Sequence, residues 1–234
     1  MIVLYALAGF VLGAPINALA DALPERRAAT TPAYLARRAP PRPRDIAVHL
    51  ATAALFAILW AQFESQGTVP LILVSFYTLV LLLVTVTDLE HRLIPNRAIV
   101  PAMMIAALAS PARFGERWPL ALLGGAIGFV FFFAAFWIGE RTIGRGALGF
   151  GDVRLAAFAG LISGFPHIVA GLIVGVFAGG AISLLLLLTR RATLRTAIPY
   201  GPFIAIGGFY AMVWGGDAIC GYAAIFCAAA LSSS

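Results

Sequence analysis

The sequence predicts an all-α fold, a polytopic bundle of about eight membrane segments within a range of six to nine. Three observations predict it. Of 234 residues, 62% are hydrophobic and only 11% charged, against about 45–50% apolar and about 25% charged in a typical soluble domain. A chain so poor in polar residues cannot cover a water-soluble core. The apolar residues fall in runs approaching the roughly 20 that a bilayer-spanning helix needs. The 16 basic residues, all arginine, cluster between the runs.

The first run covers about 2–23. Ala18-Leu19-Ala20 looks like a signal-peptidase site, but no positive charge precedes the apolar stretch, so a retained span is expected. Segment 24–45 holds Arg26, Arg27, Arg37, Arg38, Arg42 and Arg44 with five prolines. Proline breaks helices, so this reads as a short Arg/Pro-rich loop. The second and third spans cover about 46–63 and 69–87, and polar segment 88–97 follows. The fourth, 98–110, is short and contains Pro101; a polar turn, 111–117, leads to the fifth at 118–139. A glycine-rich loop, 140–154, overlaps the start of a short sixth span at 153–164. The seventh covers 167–189. Arg190, Arg191 and Arg195 then lead through Ile198-Pro199-Tyr200-Gly201-Pro202 to an eighth region, 203–231, which Gly215-Gly216-Asp217 interrupts. The whole of 1–234 reads as one membrane domain.

Charge sets the expected orientation. With 24–45 in the cytoplasm, alternation places 88–97, 140–154 and 189–197 there too. Those segments hold fourteen of the 16 arginines; Arg113 and Arg117 lie opposite. Cytoplasmic loops carry such an excess, so the N-terminus is expected outside. Arginines arranged this way orient helices, and no nucleic-acid partner is expected; the lipid bilayer is. Cys220 and Cys227 would stand about 10 Å apart along a helix, too far for a disulfide. His49, His91 and His167 are scattered, without metal-ligand spacing. Asn17, inside the first span, suits a bond to a neighbouring helix, and Gly124, Gly125, Gly128, Gly171, Gly175, Gly179 and Gly180 suit close helix packing.

The same alternation gives two aspartates a common side. Asp88 ends the third span and Asp152 begins the sixth, sixty-four residues later. Charged groups at membrane depth are costly and tend to be functional. Two carboxylates brought together share a proton and titrate as a unit. One can then act as base on water while the other polarises a carbonyl. On spacing alone, both could equally be helix-end residues, and Asp152 is well placed to cap a helix. The flanks favour chemistry: Gly149 and Gly151 leave room beside Asp152 for an extended peptide, and Ile94-Pro95-Asn96 follows Asp88.

With these residues in view, the sequence resembles the type IV prepilin peptidases, membrane aspartic peptidases with a Gly-x-Gly-Asp motif. Gly9, Gly13 and Asn17 with Leu23-Pro24 look like the family's first span. Thr87-Asp88 through Ile94-Pro95-Asn96 looks like the first catalytic motif, and Gly149-Phe150-Gly151-Asp152-Val153-Arg154-Leu155 like the second. Ile198-Pro199-Tyr200-Gly201-Pro202-Phe203 looks like a late Ile-Pro-Phe-Gly-Pro segment. The resemblance implies cytoplasmic removal of a basic leader from prepilins or pseudopilins at the bacterial inner membrane, with Asp88 and Asp152 as the catalytic pair. It leaves open methylation of the new N-terminus, which would use S-adenosylmethionine. Glu90 and Glu140, near the same face, could attract a basic leader. Many members carry paired Cys-x-x-Cys motifs after the first span; segment 24–45 has no cysteine, so neither zinc nor any other metal is expected. Two rival readings fit the same residues: a small proton-coupled transporter or channel, and a non-catalytic component of a membrane assembly. The oligomeric state is not legible.

Overall fold

A computed structural model of the chain describes residues 1–23, 42–142, 149–189 and 199–215. Among them every regular element is helical. Helix α1 is Ile2–Ala22, α2 Pro43–Phe63, α3 Thr68–His91 and α4 Asn96–Leu108. The short α5, Ser110–Phe114, and a 3₁₀ turn, Gly115–Arg117, lead into α6, Trp118–Thr142. Helices α7, Phe150–Ser163, α8, His167–Leu188, and α9, Gly201–Gly215, complete the described bundle. Among the described residues, five stretches are long and apolar enough to cross a membrane: Ile2–Ala22, Pro43–Gln66, Thr68–His91, Ser110–Thr142 and His167–Leu188. The chain is therefore a multi-pass helical membrane protein. Cys220, Cys227, Asp217 and most of 24–45 lie outside the described residues.

Helix ends depart from the hydropathy reading for local reasons. Helix α2 starts at Pro43, whose fixed φ suits a first helical position. The Asp45 carboxylate accepts the Arg42 backbone N–H at 3.0 Å, satisfying one N-terminal donor. Helix α3 does not stop before Asp88. It runs one turn further and ends where Arg92 adopts the left-handed conformation (φ 51°, ψ 41°), its N–H bonding the Asp88 carbonyl at 2.9 Å. Gly164, at φ 73°, closes α7.

The helices run alternately between two ends of the bundle. At one end Arg44 joins α2 to the last turns of α1 and α3 through Asp21 at 2.8 Å and Glu90 at 2.5 Å. There too, Asn96 at the start of α4 accepts a bond from Arg154 of α7, and α9 begins against Asp88. At the other end the Phe165 N–H bonds the Leu120 carbonyl at 2.8 Å.

Helix α7 is the centre. From Asp152 to Ser163 every residue except Arg154 is buried. Its core side chains, among them Leu155, Phe158 and Ile162, pack with Tyr77 and Val84 of α3 and Ile99 of α4. Glycines let α6 approach it backbone to backbone: a Cβ at Gly160 would overlap the Gly124 carbonyl, and one at Gly128 the Ala156 carbonyl. Gly171 and Gly207 make the same contact between α8 and α9, whereas Gly180 has open space around it. Asn17 reaches across helices, donating to the Asp45 carbonyl at 3.3 Å.

Gly160→Val is accordingly expected to force α6 and α7 apart. Overpacking costs about 1–3 kcal/mol or more, read as a melting temperature in detergent lower by several degrees or as loss of folded protein. Gly180→Ala should leave the melt unchanged.

Candidate active site

The two aspartates are held by different devices. Asp88 lies in the last turn of α3 and is 5% exposed. Its Oδ2 accepts the backbone N–H of Gly201, the first residue of α9, at 2.9 Å. The approach is so close that a Cβ at Gly201 would sit 2.6 Å from Oδ2. Arg92 adds a nearby positive charge.

Asp152, 8% exposed, is the third residue of α7. Its Oδ2 accepts the Gly149 N–H at 3.1 Å, while its own N–H bonds the Gly149 carbonyl at 3.0 Å. The carboxylate thus caps α7 from inside the first turn, and Gly149 is the N-cap. Capping uses one oxygen and leaves the other for chemistry. The Asp88 charge is near enough to act on the Asp152 carboxyl, so two separate helices bring their aspartates to the same end of the bundle.

The motif residues that flank the aspartates lock the two loops together. A Cβ on Gly151 would fall 2.9 Å from the Ile94 Cβ, so Ile94 seats on the bare backbone of α7. Pro95 is the N-cap of α4, and Asn96, its first residue, accepts the bond from Arg154, whose guanidinium also lies 4.8 Å from the Phe150 ring. Tyr200, just before α9, is part of the same wall. Burial and the Asp152 carboxylate push its phenol above the usual tyrosine range.

The site is recessed. The α6–α7 contacts Gly124–Gly160 and Gly128–Ala156 are antiparallel, so Asp152 stands level with Phe132. Glu140 is eight residues further along α6, about 12 Å towards the end of the bundle, and is exposed. Glu90 has a partner that its surroundings in sequence do not announce. It pairs with Arg44, forty-six residues away, and its side chain is 33% exposed. His91 is 3.9 Å from Glu90.

Some of this was not legible in sequence. The Gly201 amide on Asp88 joins residues 113 positions apart. The resemblance marks the late Tyr200-Gly201-Pro202 segment, but only the packing shows what the glycine does there.

Fold and site together define a multi-pass helical membrane protein with a buried pair of aspartates between α3 and α7. A model of the type IV leader peptidase family matches residues 75–184, which include both. The prepilin leader peptidase/N-methyltransferase of Bacillus subtilis (strain 168) is 32% identical over 180 residues, 75% of this chain and 68% of that protein. Proteins of the same description from Xanthomonas campestris pv. campestris and Pseudomonas aeruginosa are 30% and 29% identical over 135 residues, each match covering 58% of this chain and 47% of the relative. The chain belongs to the type IV leader peptidase family. It spans about half the length of several of the relatives it matches. No solved structure matches it.

Proposed function

We propose that the chain is a membrane aspartic endopeptidase that removes the basic leader of type IV prepilins or prepilin-like proteins at the cytoplasmic face of the bacterial inner membrane. The observation that carries this reading is the convergence of two buried carboxylates, Asp88 and Asp152, at one recessed end of the bundle. With one proton between them, the ionised member takes a proton from water as that water attacks the scissile carbonyl. The protonated member donates to the carbonyl oxygen. The proton held by the first is then available to the departing amine.

Gly149 and Gly151 keep side chains away from the second carboxylate, and Ile94, Pro95 and Asn96 hold the first loop against it. The cytoplasmic assignment rests on charge: in sequence, fourteen of the 16 arginines fall in the segments that alternation puts on the side of Asp88 and Asp152. Glu140, exposed above the site, is the better candidate for a basic leader. The Glu90 carboxylate is already engaged by Arg44.

The relatives' names include N-methyltransferase, a reaction that would draw on S-adenosylmethionine. No step is assigned to that group.

The test is to reconstitute the protein in lipid vesicles with a prepilin-like substrate bearing a basic leader. A gel shift and mass spectrum should show loss of the leader, and the same spectrum reads any added methyl group. An intact substrate beside a measurable proton flux would favour the transporter reading instead.

A further inference from the structure

Arg113 belongs to the short α5, at the end of the bundle away from the aspartates. By sequence it is one of two arginines in loops on the sparsely charged side. Its side chain turns inward. Nε donates to the Ile162 carbonyl at 3.5 Å and Nη2 to the Met212 carbonyl at 3.4 Å. Its Cζ lies 5.1 Å from the ring centres of Phe63 and Phe114. Ile162 is the penultimate residue of α7, and Met212 is in the last turn of α9. Carbonyls in a helix's last turn have no partner within the helix and carry the negative end of its dipole. One planar guanidinium therefore caps two helices at once, a task that needs its fixed fork of donors.

The opposite ends of those two helices build the site. Helix α7 presents Asp152 in its first turn, and α9 begins with the Gly201 amide that holds Asp88. Between the ends, α7 and α9 meet where Gly208 faces Ala159, a contact of small residues. Such a seam resists separation but has little relief to resist sliding along the axes. A helix is stiff along its length, so a slip at one end appears at the other. We infer that Arg113 is a positioning residue for the aspartate pair: by clamping the far ends of α7 and α9 it fixes the depth of Asp152 relative to the Gly201–Asp88 contact. This rests on the peptidase reading above for its consequence in catalysis, but not for the clamp itself.

The test compares Arg113→Gln and Arg113→Lys with Arg117→Gln, an exposed neighbour in the same connection, all in lipid vesicles. Misplacement of about 1 Å can cost about 10²-fold. Arg113→Gln should lower kcat between about 10- and 100-fold with KM within about twofold, after correction for the folded fraction. Arg113→Lys, which keeps the charge but not the fork, should recover part of the loss, and Arg117→Gln should match the wild type. A wild-type kcat per folded molecule in Arg113→Gln would overturn the inference, whatever its melting temperature. If that variant does not fold, the same two outcomes are read from Arg113→Lys. Hydrogen exchange at Gly201 separates this inference from the peptidase reading, because it needs no activity. Exchange there should quicken in the Arg113 variants, and unchanged protection would overturn the clamp even if the wild type cleaves no substrate.

Discussion

Replacing Asp152 by asparagine is expected to reduce leader cleavage by about 10³-fold or more, and Asp88→Asn by a similar factor. Residues that act as one catalytic unit lose most of the rate when either is removed. An amide cannot exchange the proton that the pair must pass between water, carbonyl and amine. The double variant should therefore be little worse than either single one. Stability should move the other way. Each carboxylate is nearly buried, at 5% and 8% exposure, and Asp152 lies in the field of Asp88. An asparagine still offers an oxygen to the Gly201 or Gly149 N–H while removing one buried acid from the pair. The variants should melt in detergent at or above the wild-type temperature. Kinetics on folded protein with a parallel melt check both halves, and an inactive variant that had also lost its melt would not support a catalytic role.

Gly201→Ala should cost about 10²-fold in kcat through displacement alone. The added methyl would stand 2.6 Å from the Asp88 Oδ2, well inside contact distance. The backbone N–H is retained, so the loss cannot be charged to a missing donor. What changes is where the carboxylate sits relative to Asp152. Because the substituent is small and the rest of α9 is unaffected, the melting temperature should fall only slightly. A Gly201→Ala enzyme with wild-type kcat would show that the amide contact does not set the position of Asp88.

How far the sequence reached follows from the range of each interaction. Helices α1 and α8 are legible almost to the residue, because hydropathy along a single lipid-facing segment is a local property. The end of α3 is not. Asp88, Glu90, His91 and Arg92 read as a polar loop. The first three are helical and Arg92 ends the helix, because α9 buries Asp88, Arg44 neutralises Glu90 and Arg92 takes up a left-handed cap. Two of those three causes come from distant parts of the chain. That Asp88 and Asp152 stand at one end of the bundle was legible by alternation along the chain. Arg113 shows the limit of the same rule. Counting it as a loop charge separates it from the aspartates, at whose opposite end of the bundle it lies, but misses its surroundings: the guanidinium is turned to helix ends that only tertiary packing brings to it.

Asp88 and Asp152 are expected to work as a single proton-sharing unit. The pH dependence of kcat/KM for leader cleavage tests it most directly. Activity requires one carboxyl protonated and one ionised, so it should fall on the acid side as the second proton binds and on the alkaline side as the shared proton leaves, giving a bell. A bell in the wild type that vanishes with its activity in both Asp88→Asn and Asp152→Asn is the predicted result. A profile with a single limb, or a bell that survives in either variant, would contradict it.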